Sequence, residues 1–391
     1  MQLGWIDFSR EERNKVMATL DLLSTTTALD ELGIGTLRDR YADILFPGIS
    51  TIQTRAKYFV IIPYIFTLAK SQKFKRANEI IPWVNKIEDN LVSTLVKNSG
   101  EDGSGIIGSR SLKKRKYVKR KPSSIYWNGM RTYGILLDNH TSMDQVATLI
   151  FNKENKKKNI EIVKGEESYD DKTAVNDGIS IFSPINPNYD FKKDIDIKLT
   201  EEEASYISDH IVSSIYSKDS LLAFIIKNKI DVSNFSFEDL GKKVKMPRNI
   251  ENDYNLAKEL ADFIYGIHIR YNVIYSQGED MEQLKAWNEW MDKFDVGTLR
   301  FKEIMTRINC KGTTKEFLKK FLKVVTNKDT EAIDRCIINR EKEVKGERAK
   351  LCKPTEYQYN SAIHNYKLSY RYYSARTIIN DILEGLGEYN G

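Results

Sequence analysis

Basic side chains are concentrated in one short stretch of this sequence, residues 110–121, which we call the basic segment. Eight of its residues are basic and none is acidic: Arg110, Lys113, Lys114, Arg115, Lys116, Lys119, Arg120 and Lys121. Clustered positive charge attracts phosphate groups through Coulomb forces and through the release of bound counterions. The basic segment therefore predicts a phosphate-rich partner, although an acidic protein face or a membrane surface would be attracted by the same charges.

A helix is predicted directly after the basic segment, over residues 123–133. Its residues with hydrogen-bonding or stacking chemistry are Ser123, Ser124, Tyr126 and Arg131. The two serines are suited to cap its first turn. Gly134 ends the helix, and the apolar residues 135–137 that follow indicate a short strand.

This order of helix, glycine and strand is typical of a winged-helix module, in which the helix meets bases or phosphates and a basic loop holds the backbone. An ordinary core helix is the alternative. In that case Ile125, Trp127 and Met130 are buried, and the basic segment is only solvated. The sequence leaves both interpretations open.

A second candidate phosphate site lies at the predicted start of another helix, where Gln53, Arg55 and Lys57 cluster. Backbone amides at a helix N-terminus bind anions well. The alternative, which we favour, is that Arg55 forms an ion pair with a carboxylate such as Asp39 or Asp43 and stabilises the fold.

Catalytic chemistry has weaker support. Glu101 and Asp102 precede the lysines of the basic segment and could be assigned to a metal-dependent nuclease, but they lie in a glycine-rich stretch that predicts a loop. The four histidines are scattered, and His268 is expected to pack within an apolar helix. The three cysteines are widely spaced and match no zinc or catalytic pattern. We expect no cofactor and no metal site, and whether the protein is an enzyme stays open.

The elements around these residues are predicted to be mainly α-helical, with a short β component in the winged-helix-like part. A chain of 391 residues exceeds one typical domain. We predict an N-terminal helical, winged-helix-like domain over 1–152, a polar linker over 153–198 and a helical domain over 199–391. Apolar periodicity and capping residues predict these helices: 10–23, 37–45, one capped by Ser50 and Thr51, 76–97, 123–133, 141–151, 202–216, 219–227, 252–275, 280–294, 298–308, 313–326, 329–345 and 357–385.

Composition favours a cytoplasmic protein. The chain carries 61 basic and 55 acidic residues, so its net charge of +6 is modest and its distribution matters more than its size. No apolar stretch reaches transmembrane length, and the N-terminus lacks the pattern of a signal peptide. Few, widely spaced cysteines fit a reducing compartment. We therefore expect no association with a membrane.

Three sequence blocks together resemble a family of prokaryotic proteins that is classed only as a domain of unknown function. The blocks are Gly4–Ser9, Thr54–Phe59 and Pro122–Trp127, which read GWIDFS, TRAKYF and PSSIYW. The resemblance carries over no catalytic residue. It implies gene neighbourhoods of anti-phage defence beside helicase-like genes, and so a complex associated with nucleic acid.

We therefore expect a DNA-binding, non-catalytic accessory subunit of a bacterial anti-phage defence or DNA-processing complex. Double-stranded DNA is the expected ligand, and a helicase or ATPase subunit is the expected protein partner. One alternative is a structural adaptor that binds such a partner without contacting DNA. The other is a metal-dependent nuclease that uses Glu101 and Asp102.

Overall fold

The protein is mainly helical, as predicted. The computed structural model describes residues 30–100, 104–110, 120–138, 140–163, 180–185, 187, 190 and 193–388. In this part of the chain, β structure is limited to one antiparallel bridge between Leu136 and Phe182. The described α-helices are α1 (Gly35–Leu45), α2 (Tyr58–Ala69), α3 (Ile80–Ser99), α4 (Pro122–Thr132), α5 (Met143–Val163), α6 (Glu201–Ser213), α7 (Leu221–Lys227), α8 (Leu240–Lys243), α9 (Arg248–Tyr275), α10 (Met281–Lys293), α11 (Phe301–Arg307), α12 (Gly312–Thr326), α13 (Thr330–Lys345) and α14 (Tyr372–Gly385).

The described residues form two compact units, each assembled from separate stretches of the chain. The larger unit contains residues 42–254 and 369–388, and the smaller unit contains residues 30–41 and 255–368. The domain boundaries that we drew from the sequence, at 152 and 198, remain a prediction. Among the described residues, no helix has both the length and the apolar character that a membrane crossing requires.

The core of the larger unit is built around α2. Nearly all of its residues are apolar, and nine of its twelve are buried, so neighbouring elements cover it on most sides. Aromatic rings hold α4 against it: the centroid of Phe59 lies 5.0 Å from that of Tyr126, and the centroid of Phe66 lies 5.6 Å from that of Trp127. The helix that carries the candidate site is therefore part of the core.

A glycine allows α4 to approach the chain before α2 closely. A Cβ atom at Gly129 would lie 2.8 Å from the carbonyl oxygen of Gly48 and 2.8 Å from the ring of Phe59. The hydroxyl of Tyr133, just beyond α4, donates a hydrogen bond of 2.9 Å to the carbonyl of Pro47. The turn at residues 47–48 and α4 are thus packed backbone against backbone.

The observed helix boundaries show where local sequence patterns were sufficient to predict the start of a helix. The helix α6 starts with a capping box: Thr200 Oγ1 accepts from the amide of Glu203, whose carboxylate accepts from the amide of Thr200. The prediction that Ser50 and Thr51 cap a helix was wrong, because α2 begins at Tyr58. The predicted helix 357–385 was wrong in its first half, because Tyr370 and Arg371 adopt positive φ angles and α14 begins at Tyr372.

The smaller unit contains most of α9 and the helices α10 to α13, close to their predicted ranges. Its core is aromatic: the rings of Trp290 and Phe294 stack at 4.4 Å, and Phe263 contacts Phe321 at 5.6 Å between centroids. Arg270 forms a two-pronged ion pair with Asp334, at 2.6 and 2.7 Å. Aromatic packing and the ion pair of Arg270 therefore hold the helices of this unit together.

Replacing Gly129 by alanine should destabilise the protein although alanine favours helices. The new methyl group would clash with Gly48 and Phe59, and overpacking of this kind costs about 1–3 kcal/mol. Urea denaturation followed by circular dichroism measures the change. Ser124→Ala, on the exposed side of the same helix, is the control and should stay within about 0.5 kcal/mol of the parent. Equal stability of the Gly129→Ala protein would contradict the close approach.

Candidate nucleic-acid interface

The ends of the basic segment are described, and both carry exposed arginines. Arg110 and Arg120 are exposed, and Lys121 forms an ion pair with Asp89 of α3. Five of the candidate residues lie outside the described residues: Lys113, Lys114, Arg115, Lys116 and Lys119. What the structure defines is therefore the chain immediately before and immediately after residues 111–119.

The segment leaves from a part of the core that touches α4. The amide of Ile107 donates a hydrogen bond of 2.8 Å to the hydroxyl of Tyr58, at the start of α2. Arg55 donates to the carbonyl of Ser104 at 3.1 Å. The ring of Tyr58 lies 5.2 Å from that of Tyr126 in α4, so the segment's first anchor adjoins the helix that follows it.

The segment returns through the first turn of α4, which Glu88 of α3 holds in place. The carboxylate of Glu88 accepts from the amide of Ser123 at 2.7 Å and from its hydroxyl at 3.2 Å. The predicted serine cap is thus wrong: α4 starts at Pro122, and Ser123 binds Glu88 instead. Burial raises the pKa of Glu88 to about 7, opposed by the Ser123 hydrogen bonds. A phosphate therefore finds the Ser123 amide already occupied.

The outward face of α4 is polar. Ser124 and Asn128 are exposed and Arg131 is half-buried, and their spacing of four and three residues places them on one side of the helix. The opposite side buries Tyr126, Trp127 and Met130, as the core-helix interpretation expected for the last two. Asn128 was missed at the sequence level, although its position four residues after Ser124 was the available signal.

Arg131 is positioned near the turn that follows α4. Hydrogen bonds from the Thr141 hydroxyl and the His140 amide lower the pKa of the Asp138 carboxyl, and the nearby charge of Arg131 adds to this effect. The exposed face of α4 thus ends in a cation beside an acidic turn.

Tyr126 has a structural role in the described conformation. Its side chain is fully buried, and its hydroxyl donates to the carbonyl of Arg55 at 2.8 Å. The same oxygen accepts from the amides of Thr54 and Arg55 at 2.8 and 3.0 Å. Tyr126 therefore fixes the turn before α2 and is not on the surface where it could stack on a base.

Arg55 is also buried, in an ion pair with Asp381 of α14. Its Nε lies 3.0 Å from both carboxylate oxygens, and the amide of Ala56 donates to Asp381 at 2.7 Å. The expected type of interaction is present, with Asp381 as the carboxylate, while Asp43 forms an ion pair with Arg371. Burial raises the pKa of Asp381, and the charge of Arg55 opposes the rise.

Lys57 forms a second buried ion pair. Its ammonium group lies 2.6 Å from the carboxylate of Glu203 in α6 and donates to the carbonyl of Lys198 at 2.9 Å. Burial lowers the pKa of Lys57, and Glu203 opposes this effect. Gln53 is buried as well and donates to the carbonyl of Gly48 at 3.0 Å. The cluster predicted to hold a phosphate is therefore interior.

The remaining sequence candidates are the two carboxylates of the nuclease alternative and the histidines. Glu101 and Asp102 lie outside the described residues. Within the described part of the chain, no group of three or more His, Cys, Asp or Glu side chains is placed to hold a metal ion. His268 is buried, as expected, with its ring 5.2 Å from that of His364, and burial lowers its pKa to about 4.

Asp381→Asn should destabilise the protein strongly, because it leaves the charge of Arg55 buried without its partner. Breaking one side of a buried ion pair costs about 3–5 kcal/mol. The matched control is Asp43→Asn, which removes the exposed partner of Arg371 in the same unit and should cost less than about 1 kcal/mol. Chemical denaturation measures the free energy of unfolding of both variants. Similar losses of stability would show that the buried Arg55 pair contributes no more than the exposed one.

Glu88 should make stability depend on pH in a defined direction. Its pKa is about 7 in the folded protein against an ordinary 4.5, so the folded state binds this proton more tightly. The free energy of unfolding should therefore fall by about 2–3 kcal/mol as the pH rises from about 4.5 to about 7, and this loss should level off above that range. Glu88→Gln cannot titrate and keeps an acceptor for the Ser123 amide. Parallel pH profiles for the parent and this variant would refute the shift.

Comparison with known proteins agrees with the resemblance of the three sequence blocks. The model of a family of unknown function, DUF6361, matches residues 1–277, which is well over half of the chain. No curated protein matches the chain, and no solved structure does. The matched region includes the TRAKYF block, whose charged side chains are buried, together with the basic segment and α4. The chain therefore belongs to the DUF6361 family of unknown function.

Proposed function

We propose that this protein is a DNA-binding, non-catalytic accessory subunit of a bacterial anti-phage defence or DNA-processing complex. The observation that carries the proposal is the anchoring of the basic segment. Ile107 and Lys121 fix its two ends to the core elements that hold α4, and α4 turns a polar face outward. The described ends of the cationic segment and a polar helix face thereby adjoin the same core elements of the larger unit.

In this proposal the basic segment neutralises DNA phosphates, and α4 contributes side chains that read or position the duplex. Arg, Asn and Ser are residue types that hydrogen-bond to base edges in the major groove and to phosphates. Ser124, Asn128 and Arg131 are the members of this face. Arg55, Lys57, Ser123 and Tyr126 support it from the interior, because their side chains are buried.

We extend the proposal to a winged-helix-like arrangement. After α4 the chain turns at Gly134, whose φ is +70°, and Leu136 then pairs with Phe182. Two further backbone hydrogen bonds strengthen this pairing, from Leu137 to Ile181 at 3.0 Å and from Ser183 to Ile135 at 2.8 Å. A helix followed by a short paired segment is the order that such a module needs.

A protein partner completes the proposed role. The gene neighbourhoods implied by the family resemblance support a helicase or ATPase subunit as that partner. Such an enzyme would supply the chemistry, and the present chain would supply DNA contact. Purification of the tagged chain from its native host, with and without nuclease treatment, separates this role from that of an adaptor. A partner retained after nuclease treatment, combined with no DNA binding by the isolated chain, would replace the proposal by the adaptor function.

Removing charge from the basic segment should weaken DNA binding. The variant changes Lys114, Arg115, Lys119 and Arg120 to glutamine. We expect an affinity for duplex DNA at least about tenfold lower near physiological salt, with the slope of log K against log salt reduced by about 3–4. Fluorescence anisotropy over a salt series measures both quantities.

The matched control removes four exposed lysines of the smaller unit, Lys302, Lys311, Lys320 and Lys323, and so changes the net charge equally. It should retain most of the affinity and the parent salt slope. An equal loss in both variants would assign the effect to total charge, and unchanged binding by the basic-segment variant would refute the proposed site.

A further inference from the structure

Two adjacent large apolar side chains are exposed in the turn between α6 and α7. Ile215 is 73% exposed and Tyr216 is 54% exposed. Single large apolar side chains in contact with water are common, whereas contiguous exposed apolar surface marks contact sites. The turn, residues 214–219, therefore requires an explanation that the core of the larger unit does not supply.

The turn is held by its own hydrogen bonds. The amide of Ser214 donates to the carbonyl of His210 at 3.1 Å, and the amides of Ser217 and Lys218 donate to the carbonyl of Ser214 at 3.1 and 2.9 Å. The buried hydroxyl of Ser217 donates to the carbonyl of Ile211 at 2.6 Å. The backbone is thus fixed on both sides of Ile215 and Tyr216.

The same turn adjoins the end of α4. The hydroxyl of Ser214 donates to the carbonyl of Thr132, the last residue of α4, at 2.5 Å. One residue further, the carbonyl of Tyr133 lies 3.1 Å from Nδ1 of His210. Ile215 directly follows Ser214, whose partner Thr132 is the residue after Arg131. The apolar pair is therefore next to a residue that is hydrogen-bonded to the last residue of α4.

We propose that Ile215 and Tyr216 form a wedge that packs against unpaired bases, so that the protein prefers DNA in which the duplex is locally opened. This inference rests on the proposed function. An aromatic ring stacks on any exposed base, and an aliphatic side chain can enter a base step that has lost its stacking. A cation at the end of α4 would hold the neighbouring phosphate. A fixed turn suits this role because ordering it on binding costs little.

The test compares two DNA probes: a fully paired duplex, and the same duplex with a short central bubble of mismatches. The parent protein should bind the bubble about tenfold more tightly than the duplex. Tyr216→Ala combined with Ile215→Ser should abolish this preference and leave duplex affinity unchanged. Tyr216→Trp alone should retain it, because an indole also stacks. A 2-aminopurine in the bubble should be quenched by the parent protein and not by the double variant.

The control is Tyr373→Ala in α14, which removes a tyrosine of the same unit that is 56% exposed. It should keep the preference for the bubble. Duplex binding without any preference, or a preference that survives in the double variant, would overturn the wedge and leave the proposed function intact. Absence of binding to either probe would overturn both. Loss of a nuclease-resistant protein partner in the double variant, with the preference for the bubble retained, would assign the turn to protein docking and overturn the wedge.

Discussion

The larger unit depends on one buried ion pair, between Arg55 and Asp381. Both side chains are at least about nine-tenths buried, so each charge has lost most of its hydration and needs the other as its substitute. The pair also organises backbone: Asp381 accepts from the amide of Ala56, and Arg55 donates to Ser104. The start of α2, the helix α14 and the chain that leads to the basic segment therefore meet at one pair of charges.

A second buried pair, Lys57 with Glu203, lies two residues further along and ties the same turn to α6. Tyr126 then binds the backbone of Thr54 and Arg55, which adds α4. The charged residues of the TRAKYF block are thus paired inside the fold. The block is where the start of α2 packs against α4, α6 and α14. In the proposed role, positive charge for a ligand in this region comes from the basic segment and from Arg131 of α4.

The limits of prediction from the sequence follow from the range of the interactions involved. Helices such as α3, α10, α12 and α13 were found because apolar periodicity is local, and the capping box of α6 spans four residues. The start of α2 and the first turn of α4 were misjudged because distant residues determine both. Arg55 and Asp381 are separated by 326 positions, and Glu88 by 35 from Ser123, so no local pattern names these partners. The position of Asn128, four residues after Ser124, was a local signal for its place on the outward face of α4.

In the proposed role, the occupied N-terminus of α4 limits how this helix would contact DNA. A helix start with unpaired amides would bind a phosphate through its dipole, and specificity would then be low. Here Glu88 takes the amide and hydroxyl of Ser123, and a phosphate would face a carboxylate whose pKa lies near neutrality. In the proposed role, contact comes from the side of the helix that carries Ser124, Asn128 and Arg131, and from the basic segment that precedes it. Because Ser214 bonds to the last residue of α4, the turn that carries the proposed wedge adjoins the end of the helix that carries the proposed polar contacts.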